Sequence, residues 1–576
     1  MSVRGRREYR AAPADTHAST LPSPLQRGRS WHAIALGLLA GSLIFIALFW
    51  RLGEATFWDP DEAHYAETTR EMIASGDWLA PHYNGQPFFD KPILFHQLQG
   101  LAMLAVGQNE LGARLVPALA GLGLILVTVW FAASVTTLDV GIVAGLMLAG
   151  SAGVFALARY AILDSLFTMF TFGGASAMTV AALRGRRSLQ WIGYLAIALG
   201  VMTKGPIALV LCGLTLAVAS VVSADARRRL FGLNWIAGLT LVIALASPWF
   251  IYMYVRFGEA FVKGYVLDEN IRLFATSRFG NQPGVWFYFQ ILAAFLLPWT
   301  ALLVGRLVDD IRAVARGESL DTVEILLWSW TAAVVGFFSL STFKLDHYVF
   351  PAAPALCVLC ARAWVDLRTA DRTRHAASRV GLHLVGPLLV AVGLGFGYLL
   401  IERLDLPRAA LLIPAVLTVC GAGMMVLLNV RGGRPARVPW FVTLATAATF
   451  AGLIAFVLPA LEQRKVVDDI ARWVAARAEP EARIASFRLN RWTPAFRFYV
   501  DRPTAFLEDP KEAAAFFAAP GPFFCAMHRS AYDEFIALGI PLTIVQERDG
   551  LWATSGRALW RRREAPARFV IVSRSR

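Results

Sequence analysis

An acidic motif just after the first apolar segment holds the first residue suited to catalysis. In the run FWDPDEAHYAE, Asp59 is expected as a helix N-cap, with Pro60 at the first helical position and Glu62 at the capping-box position. Asp61 then stands in the first helical turn. It either stabilises the positive end of the helix dipole or serves as a general base toward an attacking hydroxyl. The motif alone leaves both roles open.

Isolated charges stand at the ends of several later apolar segments. Lys91 follows Asp90 in FFDKPILFHQ, and Lys204 lies in the turn MTKGPIAL. Such a lysine either extends to the lipid head groups or binds the phosphate of a lipid whose chain lies in the membrane. Charges at this depth are unfavourable and usually functional. The other residues placed in this way are Arg159, Asp164, Arg272, Lys344, His347 and Tyr348.

The elements that must position these charges belong to a membrane protein. The chain has 576 residues, of which 57% are hydrophobic and 17% are charged, and its mean hydropathy is +0.53. Soluble proteins carry about 25% charged residues, so the composition excludes a soluble globular protein. Apolar segments near the length that spans a hydrocarbon core of about 30 Å recur about thirteen times. They predict a polytopic α-helical membrane protein.

The distribution of arginine predicts the orientation of the chain. The net charge of +14 fits the excess of Lys and Arg in cytoplasmic loops, so it does not indicate a nucleic acid partner. We expect the short apolar stretch Pro92–Val106, which contains His96, to lie at the membrane interface rather than to span. With that stretch excluded, the basic clusters share the cytoplasmic side with the amino terminus. These clusters are Arg184/Arg186/Arg187, Arg227/Arg228/Arg229, Arg312/Arg316, Arg368/Arg372/Arg374/Arg379 and Arg431/Arg434/Arg437.

The same patterns divide the chain into parts. Residues 1–30 are predicted to form a basic cytoplasmic tail, because the apolar segment that follows is too long for the core of a signal peptide. Residues 31–460 are predicted to form the membrane domain, with outer loops 51–111 and 255–283. The loops and short turns of this outer face hold nearly all the unusual polar residues. In residues 461–576, frequent charges and short alternating runs such as PLTIVQE predict a small soluble α/β domain outside the cytoplasm. We expect this domain to be accessory or to guide substrate.

Cysteine and histidine give only weak signals for metal. Four of the five cysteines lie inside apolar runs, as small buried hydrophobic residues do. The run CVLC has no second pair to complete a tetrahedral site. Histidines of the predicted outer face leave a zinc site open. They are His64, His82, His96 and His347.

Six short motifs resemble the polyprenyl-phosphate-sugar-dependent glycosyltransferases of the C-type membrane fold (GT-C). The likeness includes the bacterial aminoarabinose transferases that modify lipid A and the related protein O-mannosyltransferases. It extends to about residue 360 and implies a GT-C fold with about thirteen transmembrane helices. The motifs are PDEAHYAE with REMIASGDWLAPHYNGQPFFDKP, NELGARLVPALAGL, ARYAILDSLF, LGVMTKGP and STFKLDHYVFPAAPAL.

The resemblance implies roles for individual residues. Asp61 and Asp164 correspond to the family's catalytic carboxylates, and Lys91 to the lysine that binds the donor phosphate. His64 stands where the aminoarabinose enzymes usually carry Arg, and Asp90 where the family often has Glu. The reaction class therefore transfers to this chain better than the sugar does. The other residues expected to bind substrate are Glu62, Arg159, Lys204, Arg272, Lys344, His347 and Tyr348.

The reaction that the resemblance implies is an inverting glycosyl transfer at the bacterial inner membrane. Its donor is a sugar on undecaprenyl phosphate, 4-amino-4-deoxy-L-arabinose among the candidates, and its acceptor is an extracytoplasmic group such as a lipid A phosphate. No metal is required in principle, because the leaving phosphate carries its own negative charge. Transfer of mannose or galacturonic acid to lipid or protein hydroxyls stays open. So does a different class of protein, a flippase or transporter for a lipid-linked sugar.

Overall fold

The computed structural model describes most of the chain. Part of the predicted basic tail 1–30 lies outside the described residues, as do Arg372, Arg374, Arg431 and Arg434 of the predicted cytoplasmic clusters. The described residues are 24–276, 283–369, 375–402, 406–430, 435–489, 494–552 and 567–574.

Most of the described chain before residue 463 is helical. The first group consists of α1 (Pro24–Leu48), α2 (Asp61–Ser75), α3 (Leu94–Val106), α4 (Glu110–Val135), α5 (Leu138–Ala149), α6 (Ala152–Leu157), α7 (Asp164–Arg184), α8 (Leu189–Lys204), α9 (Ile207–Val222), α10 (Ala224–Leu230) and α11 (Trp235–Phe257). The second group consists of α12 (Glu259–Phe261), α13 (Leu273–Ala275), α14 (Phe287–Phe295), α15 (Thr300–Ala315), α16 (Thr322–Leu340), α17 (Ala353–Thr369), α18 (Ala376–Glu402), α19 (Leu412–Asn429), α20 (Val438–Gly452) and α21 (Leu458–Glu462).

Shorter elements interrupt these helices. Between α2 and α3, β1 (His82–Tyr83) pairs antiparallel with β2 (Gln86–Pro87). Two π-helices and three 3-10 helices complete the set. They are Val262–Arg272 and Leu453–Val457, then Asp346–Ala352, Arg408–Leu411 and Pro435–Arg437.

The lengths of the helices identify a multi-pass membrane protein. Within the described residues, eight helices are long and apolar enough to cross a membrane, or nine if the pair α14 and α15, bent by 119°, is one span. Helix α3 has 13 residues, which is too short for a core about 30 Å thick. It therefore fits the interfacial placement expected for Pro92–Val106. The predicted total of about thirteen spans is not confirmed and stays a prediction.

The antiparallel pair α7 and α8 has ends that matter for the candidate site. Gly174 and Gly193 face each other, and a Cβ added to Gly174 would lie 2.9 Å from the Gly193 carbonyl oxygen. Small residues at such a contact let two helix backbones approach closely. Because α7 begins at Asp164 and α8 ends at Lys204, this packing brings the two charged residues to the same end of the bundle.

The carboxyl-terminal region forms an α/β sheet, as the sequence predicts. The strand order is β4-β3-β5-β7-β6, with β3 parallel to β4 and β5, and β7 antiparallel to β5 and β6. Phe487, Phe517 and Phe535 belong to the buried cluster on one face, and Ile571 belongs to that on the other. The elements are α22 (Val467–Ala475), β3 (Arg483–Phe487), α23 (Ala495–Val500), β4 (Thr504–Leu507), α24 (Pro510–Ala518), β5 (Phe523–His528), α25 (Arg529–Ala537), β6 (Leu542–Gly550) and β7 (Ala567–Arg574).

Helix α23 of this sheet region docks on α2. The buried guanidinium of Arg497 donates to the Glu67 carboxylate at 2.8 Å, to Glu71 at 2.7 Å and to the Asn84 side-chain oxygen at 2.5 Å. Arg70 of α2 donates in turn to the Phe498 carbonyl at 3.0 Å. The sheet region thus holds both α2 and the β1–β2 hairpin.

Asp59 also takes part in this docking, and its expected role as an N-cap is wrong. Helix α2 begins at Asp61 with Pro60 before it and no side-chain cap. The Asp59 carboxylate instead accepts a hydrogen bond from the Ala495 N–H at 3.0 Å. Burial raises the pKa of the Asp59 carboxyl to about 7, although that hydrogen bond and the nearby Lys465 favour the charged form.

Replacing Arg497 is expected to loosen the sheet region from α2. In R497A the buried carboxylate of Glu67 loses Arg497 but keeps its contact with Arg70, so we expect a destabilisation of about 1–3 kcal/mol. We expect a lower thermal unfolding midpoint in detergent and faster proteolysis between α21 and α22. The control is R548A, which removes an exposed arginine of the same sheet. Equal midpoints for the two variants would contradict the docking role.

Replacing Asp59 is expected to change the dependence of stability on pH. The raised pKa means that the folded protein keeps this proton to a higher pH than the unfolded chain does. The free energy of unfolding therefore falls as pH rises between about 4 and about 7, by up to about 1.4 kcal/mol per pH unit. D59N lacks this loss, so its midpoint should rise relative to wild type between about pH 4 and about pH 7. The control is the same substitution at the exposed Asp533. A difference between D59N and wild type that stays constant with pH would contradict the assignment.

Candidate active site

Glu62 ties together the segments that carry the two predicted catalytic aspartates. Its buried carboxylate accepts hydrogen bonds from Arg114 Nε at 2.6 Å and Nη2 at 2.8 Å. It also accepts from the Trp58 N–H at 2.9 Å and the Ala161 N–H at 3.0 Å. Trp58 precedes Asp61, and Ala161 precedes α7, so one carboxylate fixes both segments against α4. These protein contacts give Glu62 an organising place, and its predicted contact with substrate stays a prediction.

A second cluster forms around Asp164 at the start of α7. The Lys204 ammonium lies 2.5 Å from one Asp164 carboxylate oxygen, and His347 Nε2 lies 3.7 Å from the other. Lys204 Nζ also lies 4.7 Å from the centre of the Tyr348 ring. The structure therefore brings together four residues that the sequence places in three separate turns.

The turn that carries Lys204 depends on a glycine. Gly205 has a φ of +89°, which L side chains rarely adopt, and a Cβ there would lie 2.2 Å from the Tyr265 hydroxyl. That hydroxyl is buried and has no hydrogen-bond partner among the described residues. Tyr265 belongs to the π-helix Val262–Arg272, so this helix packs directly against the Lys204 turn.

Asp61 lies close enough to this cluster to act on it electrostatically. Its charge reaches Lys204, His347 and Tyr348. Asp61 is half-buried, whereas its neighbour Glu62 is buried completely. Of these two adjacent carboxylates, Asp61 is thus the more accessible.

Lys91 completes the cluster from a fourth segment. Its ammonium donates to the Asp90 carbonyl at 2.9 Å and lies 3.5 Å from the Glu269 carboxylate. The charge of Lys91 also acts on Lys204 and His64. Sequence reasoning noticed the run Asp268-Glu269-Asn270 but did not place Glu269 in the site. A carboxylate that faces a lysine from a distant loop leaves no local pattern that would predict the contact.

His64 and Asp90 border this cluster. The His64 ring packs edge-on against Tyr83 and Phe88, with ring centres 4.2 Å and 5.0 Å apart. Burial lowers the pKa of His64 to about 4, and the charge of Asp61 only partly offsets this. The imidazole is therefore neutral at pH 7. Asp90 acts electrostatically on Tyr65, as do Asp61 and Asp164.

Three predicted residues make other contacts. Arg272 pairs with Asp268 at 2.6 Å on an exposed surface. Lys344 donates to the Ser341 carbonyl within its own turn. Arg159 donates to the backbone carbonyls at the end of α1, the shortest contact being 3.0 Å to Trp50. Their direct contact with substrate stays a prediction.

A metal centre would need several His, Cys, Asp or Glu side chains close together. Across those residues, no group of three or more His, Cys, Asp or Glu side chains lies in a position to hold a metal ion. Two of the outer histidines lie near each other, since the rings of His64 and His96 both pack on Phe88. Zinc binding by these histidines stays an untested expectation.

Comparison with known proteins finds similarity to the families that the motifs resemble. A profile of the dolichyl-phosphate-mannose-protein mannosyltransferase family matches residues 38–262. The undecaprenyl phosphate-alpha-4-amino-4-deoxy-L-arabinose arabinosyl transferase 2 of Pseudomonas fluorescens is 32% identical over 371 residues, which are 61% of this chain and 58% of that protein. The corresponding transferase of Aeromonas salmonicida is 30% identical over 353 residues, 60% of this chain and 62% of the relative. The matches thus span about three fifths of those relatives.

Solved structures extend the likeness to nearly the whole chain. ArnT from Cupriavidus metallidurans bound to undecaprenyl phosphate has a TM-score of 0.73 at 21% identity and covers 94% of this chain and 98% of its own. The apo form has a TM-score of 0.74 at 20% identity, over 95% and 98%. The resemblance drawn from the motifs is therefore confirmed, and the chain has the GT-C membrane fold of the ArnT-like glycosyltransferases.

Proposed function

We propose that this protein is an inverting glycosyltransferase that takes a sugar from undecaprenyl phosphate and transfers it to an acceptor outside the cytoplasm. The observation that carries the proposal is the cluster of Asp61, Lys91, Asp164 and Lys204, which four separate segments bring together. The named activity of the aminoarabinose relatives supports 4-amino-4-deoxy-L-arabinose as the sugar. A lipid A phosphate is the acceptor that we propose with it.

The two lysines serve the leaving group. As the bond between the sugar and the phosphate breaks, negative charge grows on the departing undecaprenyl phosphate. Fixed cations at that position stabilise the transition state more than the bound substrate. Lys91 lies 3.5 Å from the Glu269 carboxylate, a longer contact than that of Lys204 with Asp164, and is the better placed to turn toward a phosphate. Lys204, held by Asp164 at 2.5 Å, supplies positive charge from a fixed position.

The two aspartates have different tasks. Asp61 is the half-buried carboxylate that faces the acceptor and, for a hydroxyl acceptor, accepts the proton of the attacking oxygen. A phosphate acceptor is already ionised, so Asp61 then orients it through the amino or hydroxyl groups that surround it. Asp164 holds Lys204 and His347 in place, so we assign it a positioning role. Because the phosphate leaves as an anion, the proposed reaction requires no metal ion.

A second candidate is transfer of mannose to a hydroxyl. The observation that favours it is the match of residues 38–262 to the mannosyltransferase family, which covers both Asp61 and Asp164. Under this alternative Asp61 is essential as a base, whereas with a phosphate acceptor it is not. The dependence of rate on pH therefore separates the two candidates in a single assay.

Loss of Asp61 or Lys91 is expected to abolish sugar transfer. Purified D61N and K91A are incubated with undecaprenyl-phosphate-linked sugar and lipid A, and product is measured by mass spectrometry. We expect rates to fall by about 100-fold or more, because K91A removes a charge at the leaving group and D61N removes the carboxylate that orients the phosphate acceptor. Controls of matched chemistry are D533N and K511A, on the exposed surface of the sheet region.

Transfer at the wild-type rate by both site variants would contradict the site. Uptake of the lipid-linked sugar into vesicles with no glycosylated product would instead favour a transporter.

The orientation of the chain is also part of the proposal. We place the protein in the bacterial inner membrane, with its amino terminus in the cytoplasm and the sheet region in the periplasm. Alkaline phosphatase, which is active only outside the cytoplasm, is fused after Leu461 and, as a control, within the cluster Arg227–Arg229. Activity is expected only for the first fusion, because basic loops stay inside. The opposite pattern would place the cluster on the wrong side of the membrane.

A further inference from the structure

A cavity separate from the lysine cluster opens where the membrane helices meet the sheet region. Its volume is about 780 Å³. The end of α1, the segment between α6 and α7, the last helices of the membrane domain and the start of α22 all contribute to its wall. Neither Lys91 nor Lys204 nor Asp164 lines it, so the proposed donor contacts do not account for this space.

The cavity nevertheless lies next to Asp61. Trp58 and Tyr160 form part of its wall, and the Tyr160 hydroxyl donates to the Trp58 carbonyl at 3.4 Å. The charges of Asp61 and Glu62 both act on Tyr160. Asp61 is therefore near the part of the wall that Tyr160 forms. A molecule in the cavity would approach Asp61 across Trp58 and Tyr160.

Arg159 gives the cavity a cation without a carboxylate partner. Its guanidinium donates to the carbonyls of Trp50 at 3.0 Å and of Ile46 and Arg51 at 3.4 Å, and it lies 5.5 Å from the centre of the Phe155 ring. Among the described residues, no carboxylate lies within ion-pair distance of it. The carbonyl groups at the negative end of the α1 dipole partly compensate its positive charge. A half-buried arginine of this kind attracts an anion.

The remaining charges of the wall mostly neutralise one another. Four acidic and four basic side chains line the cavity, and one of the acids, Asp469, is exposed. Most of these side chains already hold a partner. The pairs are Arg51 with Glu54, Lys465 with Glu462, Asp468 with Arg472, and Arg114 with Glu62.

Another part of the wall is apolar and continues into the membrane domain. Phe155, Ile454 and Leu458 line it, and the Phe155 ring stacks on Phe450 of α20 with ring centres 4.2 Å apart. These side chains belong to helix ends, where a membrane span meets the surface. A ligand that fills the cavity thus meets hydrocarbon on one side and a cation on the other.

From these observations we infer that the cavity is the acceptor site and binds a lipid whose head group carries a phosphate. The phosphate lies against Arg159, and the acyl chains follow Phe155, Ile454 and Leu458 toward the membrane. The sheet region takes part directly, because Lys465, Asp468 and Asp469 complete the wall. This inference rests on the proposed glycosyl transfer, in which the bound acceptor must reach the donor sugar past Trp58 and Tyr160.

The test measures binding of each lipid separately. Detergent-solubilised protein is titrated with lipid A, with dephosphorylated lipid A, with inorganic phosphate and with undecaprenyl phosphate, and complexes are quantified by native mass spectrometry. R159Q removes the cation, R159K keeps the charge, and A156W fills the cavity from an exposed wall position. R548Q, on the exposed surface of the sheet region, is the matched control. Thermal midpoints report whether R159Q still holds the end of α1.

We expect R159Q and A156W to bind lipid A about tenfold more weakly than wild type, since a hydrogen-bonded charge contributes that much. R159K should recover part of the loss of lipid A binding. R159Q and A156W should both bind undecaprenyl phosphate as wild type does. Dephosphorylated lipid A should bind wild type and R159Q alike. Inorganic phosphate that competes with lipid A would show that the head group alone is recognised.

Three results would overturn the acceptor site. They are wild-type affinity of both R159Q and A156W for lipid A, a parallel loss of undecaprenyl phosphate binding, and failure of wild type to bind lipid A. The proposed transferase fails by a different result. In that case K91A would bind undecaprenyl phosphate and transfer sugar as wild type does, whatever Arg159 contributes.

Discussion

The buried ion pair between Glu62 and Arg114 is the interaction on which the arrangement of the site depends. Two charges removed from water destabilise a fold unless their hydrogen-bonding capacity is filled. Here the Glu62 carboxylate receives two bonds from Arg114 and two from backbone N–H groups. Arg114 donates further to the carbonyls of Leu52 and Ala55. The pair thus joins the first outer loop, α4 and the approach to α7. Asp61 and Asp164 are placed relative to each other because both segments attach to one carboxylate.

Around this pair, the packing of the membrane helices positions Asp164 and Lys204, and the sheet region holds α2 in place. The glycine contact between α7 and α8 sets where Asp164 meets Lys204, and packed helix ends move little. Helix α2, which carries Asp61, lacks a side-chain cap and would fray if it were held only at one face. Arg497 and the Asp59 contact to Ala495 hold it from the opposite side. A polar loop between two membrane helices therefore has the rigidity of a core element.

Residue type and position at helix ends were enough to predict part of this site. Asp61, Lys91, Asp164 and Lys204 stand out in the sequence because a lone charge beside an apolar segment is unfavourable unless it has a task. Glu269, Arg114 and Arg497 do not stand out, since their partners are hundreds or dozens of positions away and local patterns carry no such information. The error at Asp59 has the same origin. Its spacing fits an N-cap, but a tertiary bond to Ala495 takes precedence over the local one. The number of spans depends on short or bent helices such as α14 and α15, whose composition does not say whether they cross.

The contacts of Arg497 with α2 also constrain how such a protein is able to evolve or be recombined. Glu67 and Glu71 are carboxylates whose companion arginine belongs to a fold more than four hundred positions later in the chain. A chimera that joins this membrane domain to the sheet of a distant relative would leave the buried Glu67 with Arg70 as its remaining arginine partner among the described residues and would remove the arginine from Glu71, unless the incoming sheet presents an arginine at the same position. The two regions are therefore expected to diverge together, so that the sheet region is inherited with α2 rather than exchanged between relatives.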